Sequence, residues 1–175
     1  MFSFITKPNY PKAAIGLEKE RVTVLSLQKE GRAGFGIRNA ASMQLPASLL
    51  QPQFMESNIS SLQGVATVLQ EAAGLAGLLK QRNWSVALPS RTARTAILTL
   101  DNESGSNIDE VLDWKAEQTF GVPAVALRIT KNRLSSDREG KLRYLATAVK
   151  LSIIDEYESV FEHLGWKAGL ILPRP

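Results

Sequence analysis

The chain has no cysteine and a single histidine, His163, among its 175 residues. Disulfide frameworks, Cys–His nucleophiles and zinc clusters therefore have little to be built from, and a Ser-His-Asp arrangement would have to pass through His163 alone. His163 closes an amphipathic segment and reads as a dipole-compatible surface residue, not as a base or ligand. Long apolar runs are also missing. Nothing approaches the ~20 residues that cross a bilayer, and Met1-Phe2-Ser3-Phe4-Ile5-Thr6-Lys7-Pro8 is not the sustained apolar core of a signal peptide. Internal repeats and low-complexity tracts are absent. The missing disulfides are compatible with the cytosol, and a chain this long buries roughly 70 % of its unfolded surface without staples.

Excess charge is small, +4. The basic residues Arg128, Lys131, Arg133, Arg138, Lys141 and Arg143 nevertheless bracket one connection, with only Asp137 and Glu139 among them. That patch reads first as a solvated hairpin, with anionic lipid headgroups or an acidic partner as the alternative. No aromatic residues interleave with the charges, so nucleic-acid binding is not expected.

What is present concentrates between Asn107 and Leu172. Ile108 to Phe120 is an amphipathic helix, with Ile108, Val111, Leu112, Lys115, Ala116 and Thr119 on one face. Asn107 and Glu110 are spaced for a reciprocal capping box, and Gly121 followed by Pro123 stops the helix. Asp109, Glu110, Asp113 and Glu117 form its wet face, partly neutralised by Lys115, and are not expected to hold a metal. A second helix, Ser152 to Leu164, carries Ile153, Ile154, Tyr157, Val160, Phe161 and Leu164 on one stripe. Gly165 suits the left-handed residue that ends it, and Trp166 to Leu172 reads as a strand, as does Arg143 to Val149.

The N-terminal third predicts antiparallel strands at Ala13–Leu17, Val22–Leu27 and Phe35–Ala41, the last after a Lys29-Glu30-Gly31-Arg32 turn. Leu45 to Ser61 is an irregular connection. A helix follows, marked by Leu62, Val65, Val68, Leu69, Ala72, Leu75, Ala76 and Leu79. Gly64, Gly74 and Gly77 would weaken its interior by about 1 kcal/mol each, so they are expected to face a close neighbour, the sheet. The polar segment Asp101 to Asn107 is the best boundary between two periodic regions. Residues alone support a mixed α/β protein whose helices each cover one side of a sheet.

Over Trp84 to Leu172 the chain resembles the PilM family of actin-like ATPases of type IV pilus assembly. The resemblance rests on "IDEVLDWKAEQTFGVP", the strand pair after it and "KLSIIDEYESVFEHLGWKAGLI", preceded by strands at Val86-Ala87-Leu88-Pro89 and Thr95 to Asp101. It implies an α/β fold: a ribonuclease-H-like, actin-like first domain with an inserted small α+β subdomain, as also in FtsA. The implied layout is 1–101 for the N-terminal part of the first domain, 102–165 for a strand-helix-strand-strand insert and 166–175 for a returning strand. In the family a further domain of similar size completes the nucleotide site; a chain ending at Pro175 is expected to be a fragment or to lack that half.

The family binds ATP and Mg²⁺ through a Gly-x-Asp-x-Gly-Ser/Thr loop after the first strand. Here the stretch is Gly16-Leu17-Glu18-Lys19-Glu20-Arg21, which lacks the second glycine and the small hydroxyls, with Glu18 alone near the Asp position. Gly16 and Glu18 thus mark a degenerate loop that reads as a solvated turn, so no cofactor, metal or catalytic residue is expected. The resemblance implies a cytoplasmic scaffold held at the inner membrane by partners, docking the extended N-terminal peptide of a PilN-like protein. By location Arg94, Trp114, Phe120 and Arg128 are candidates for that surface, although burial in the subdomain core is the first expected role of Trp114 and Phe120. The competing expectations are the front half of an active ATPase and a self-associating FtsA-like filament module.

Overall fold

The computed structural model describes residues 10–31, 34–100, 107–136 and 138–174. Three strands come first: β1 (Ala13–Glu18), β2 (Arg21–Glu30) and β3 (Gly34–Gln44). They form an antiparallel meander, in register from Glu18 opposite Arg21 and with a bulge where Ser26 gives way to Leu27. Helix α1 (Leu62–Leu75) leads to β4 (Asn83–Leu88), which pairs parallel with β1. The sheet is closed on its far side by β8 (Lys167–Pro173), parallel to β4, giving the order β3-β2-β1-β4-β8.

Between β4 and β8 the chain builds a second sheet from β5 (Arg94–Leu100), β6 (Leu127–Arg133) and β7 (Leu142–Lys150), with helix α2 (Ile108–Phe120) packed on one face; helix α3 (Leu151–His163) then leads back to β8. Its order is β5-β7-β6, all antiparallel. This pairing differs from the expected allotment. The strand from Thr95 was placed with the first domain, yet it pairs with β7 along its whole length. The helix α3 was placed in the insert, yet Ile153, Tyr157, Val160 and Phe161 bury in the core of the five-stranded sheet. Alternation tells which side of a strand is wet, whereas the neighbour along the backbone ladder is a non-local choice. The polar boundary segment, except Asn107, lies outside the described residues.

The core on the helix side of the first sheet joins Ile15, Leu17, Val22, Val24, Val86 and Leu88 to Val65, Leu69, Ala72 and Ala73 of α1 and to α3. Trp84 and Trp166 stack tilted with centroids 5.0 Å apart, and Phe161 lies 6.3 Å from Trp166. Such aromatic pairs contribute about 0.5–1.5 kcal/mol beyond their buried area. A second core holds Leu98, Leu100, Leu112, Ala116, Phe120, Leu127, Leu142 and Ala146.

Local signals hold in part. Gly121 (φ 71°) and Gly165 (φ 65°) both take the left-handed conformation that ends a helix. The capping box does not form: Asn107 has φ −105°, ψ 31°, and its amide donates to the Glu110 carboxylate at 3.0 Å instead of capping the backbone. Of the three glycines expected to face the sheet only Gly77 does so, where a Cβ would stand 3.8 Å from the Asn39 side chain of β3. A Cβ on Gly64 would stand 2.7 Å from the Leu49 side chain, one on Gly74 would meet Leu79, and Gly77 (φ 69°) lies past the helix end.

Candidate functional site

The strands β1, β4 and β8 run parallel, so their C-terminal ends gather at one edge, where binding clefts form in open α/β sheets. An open cleft of about 1080 Å³ lies there, lined among others by Glu18, Lys19, Phe54, Arg91, Arg94 and Arg174. Glu18 ends β1 and Lys19 starts the tight β1–β2 turn. Arg91 lies in the short 3₁₀ turn Ser90–Thr92, which the buried Thr92 hydroxyl pins by donating to the Pro89 carbonyl at 2.7 Å. Four cations therefore meet one carboxylate. That carboxylate, Glu18, is ion-paired with Arg174, whose guanidinium also stands 3.3 Å from where a Cβ on Gly16 would be.

Phe54 comes from the irregular connection between β3 and α1, and two side chains fix its position. Asn58, 2 % exposed, accepts from the Gln53 amide at 2.7 Å and donates to the Gln53 and Glu56 carbonyls at 3.0 Å. The Glu156 carboxylate of α3 accepts from the backbone amides of Asn58 at 2.8 Å and Ile59 at 2.6 Å. With its backbone clamped in this way, the loop sets Phe54 into the second core, 6.2 Å from Phe120, with the Arg94 guanidinium 4.6 Å above its ring. One loop thus ties both sheets together beside the cleft.

The four expected docking residues separate. Arg94 lines the cleft. Phe120 is buried at 3 % exposure and reaches the site only through Phe54. Trp114, expected in the core, is 57 % exposed, because Leu112, Ala116 and Phe120 supply the inward stripe of α2. Arg128 is exposed on β6, next in sequence to the buried Leu127 and so on the sheet face away from α2. Phe54, Arg91 and Arg174 were not singled out in the sequence. Phe54 carried a faint signal as the one aromatic in the irregular stretch, while Arg91 and Arg174 carried none.

The acidic face of α2 is neutralised by a different lysine from the one expected. Lys131 of β6 reaches Asp113 at 2.6 Å and Asp109 at 3.9 Å, whereas Lys115 donates to the Thr99 carbonyl. Among the described residues no group of His, Asp and Glu is arranged to hold a metal, and no helix is long and apolar enough to cross a membrane.

No family model and no curated protein matches the chain. Solved structures do. A chain of the PilM-PilN type IV pilus biogenesis complex superposes with a TM-score of 0.71 at 13% identity, covering 94% of this chain and 47% of that one. The cytoplasmic domain of EpsL, an inner membrane component of the type II secretion system of Vibrio cholerae, does so with a TM-score of 0.55 at 13% identity, covering 93% and 59%. This chain spans about half the length of the solved chains it matches. Its architecture, a five-stranded mixed sheet and a three-stranded sheet with three helices, is the fold shared with those regions of a pilus biogenesis complex and a secretion component.

Proposed function

We propose that this chain is a cytoplasmic component of a type IV pilus or related secretion machine, held at the inner membrane through its partners and working as a docking scaffold. The observation that carries the reading is the cleft beside Phe54 and Arg94, in a fold shared over 94% of the chain with a PilM-PilN complex chain. The occupant is the extended N-terminal segment of a PilN-like inner-membrane protein, which gains backbone hydrogen bonds and side-chain pockets in such a cleft. In this reading the first sheet is the actin-like domain, and the second layer, 94–150, is its inserted subdomain.

Nucleotide chemistry does not fit the residues present. A phosphate cradle needs converging backbone amides, commonly from glycines at positive φ, yet the β1–β2 turn is Lys19-Glu20 and no residue there has positive φ. Glu18, the one carboxylate near a metal position, is engaged by Arg174. No ATP or Mg²⁺ step is assigned to this chain.

Calorimetric titration with a synthetic PilN-type N-terminal peptide tests the reading. The expected result is saturable heat and a raised unfolding midpoint, with Arg94→Glu weakening binding at least tenfold. Absence of both heat and midpoint shift at high peptide concentration removes the proposal.

A further inference from the structure

The two edges of the five-stranded sheet are protected unequally. At one end β8 is short, starts at Lys167, bulges opposite Trp84 and Ser85 and closes on Pro173, all devices that stop a strand from pairing further. At the other end β3 runs for 11 residues with one charge, Arg38, and no proline. Its regular half, Asn39 to Gln44, is wholly uncharged, and Ala40, Ser42 and Gln44 are exposed.

The surface beside that edge is apolar. The Asn39 amide donates to the Ala76 carbonyl at 3.1 Å, so the end of α1 sits next to β3. Ala66 and Ala73 of α1 are fully buried on one flank, while Val68 and Leu75 fall on the other by the 100° step of the helix. Leu75 is 69 % exposed and Leu79 51 %, and on the strand itself Phe35 is 63 % and Ile37 64 % exposed. Leu75 and Leu79 lie on the helix side of the edge, whereas Phe35 and Ile37, opposite Lys29 and Leu27, point to the other face of the sheet.

We propose that this border is an interface between two copies of the chain, related by a two-fold axis that pairs β3 with β3 antiparallel and brings the α1 flanks together. An open strand edge offers alternating N–H and C=O groups, which only another extended backbone completes. A second copy is the occupant that the residues favour. Asn39 to Gln44 meets no like charge whichever antiparallel register it takes, and the apolar flank of α1 finds its own complement across the axis. A strand of this length is about 36 Å long. With a flank about 10 Å wide beside it, the border covers roughly 500 Å² per copy, the lower end for specific association. The dimer is therefore a weak one. This inference does not depend on the peptide cleft, which lies at the strand ends and not along β3.

Sedimentation velocity across a thousandfold concentration range tests it. A monomer–dimer equilibrium is expected, weakened at least tenfold by Ala40→Lys and by Leu75→Glu, both at exposed positions, and unchanged by Leu172→Lys on the opposite edge strand. Mixing Ala40→Lys with Ala40→Glu chains restores association, since the axis sets opposite charges face to face. Because the chain lacks cysteine, Ala40→Cys adds a second readout: with the axis at Ala40, oxidation links it to its own copy. A monomer at every concentration overturns the proposal, as does a dimer that neither Ala40→Lys nor Leu75→Glu weakens, or a β3 edge that pairs only with an added peptide.

Discussion

Among the described residues the polar groups divide into those that hold the site and two, the Trp84 indole N–H and the Tyr157 hydroxyl, that lie buried without a hydrogen-bond partner. Glu156 and Asn58 belong to the first class, since together they satisfy the backbone of the loop that carries Phe54. Glu156→Gln keeps the shape but removes the charge from these bonds, and is expected to cost about 1–3 kcal/mol in denaturant unfolding. Tyr157 is the contrasting case. Its hydroxyl is buried without a hydrogen-bond partner, and burial, reinforced by the neighbouring Glu156 charge, pushes its ionisation well above the usual phenol range. The folded phenol keeps its proton where the unfolded one, near pH 10, releases it. This contribution is thus complete below about pH 10 and lost progressively above it. Tyr157→Phe is expected to leave the midpoint at pH 7 unchanged or slightly raised and to flatten the decline above pH 10, measured by thermal melts across pH.

Helix ends show how far local signals reach. Ser61 does cap α1, its hydroxyl accepting from the Gly64 amide at 3.1 Å, whereas Asn107 makes no such bond to α2. Ser61→Ala is expected to cost about 1 kcal/mol and Asn107→Ala a few tenths at most, a contrast readable from two chemical melts. Gly121 and Gly165 were legible because a left-handed helix stop strongly favours glycine. Most strands were legible one by one for a similar reason, since their pattern is local, whereas β4 and β5 were expected only from the family resemblance. Their partners were not. Nothing in Thr95 to Leu100 says that its ladder runs to Arg143 and Thr147 instead of to Val86. The exposure of Trp114 was hidden for the same reason, because α2 has more apolar residues than its one covered face can bury.

At the scale of the molecule, Phe54 is the joint between the two sheets. Phe54→Ala removes a ring that touches both Phe120 and Arg94, and is expected to destabilise by about 3–5 kcal/mol while lowering affinity for the docked peptide by freeing Arg94. A conservative Phe54→Leu, which keeps part of the volume but not the ring face, should restore much of the stability without the full affinity. Titration with ATP and Mg²⁺ is expected to give no heat, and a measurable nucleotide affinity would reopen the enzymatic reading. Only part of this site was visible beforehand. Glu18 and Arg94 stood out from their places in the chain, but the cleft they share with Arg91 and Arg174 joins residues far apart in sequence.

Composition and periodicity by themselves determined the mixed α/β class, the helices, the strands other than β4 and β5, the left-handed stops and the absence of cysteine chemistry, because each is settled within a few residues or by counting. The tertiary structure alone decided which strands share a sheet, that α3 serves the first core, that Glu18 is occupied by Arg174 and that, among the described residues, β3 is left as an open edge. Those outcomes depend on hydrogen-bond and packing partners that come from distant segments of the chain, and no local pattern encodes a partner that only folding brings near.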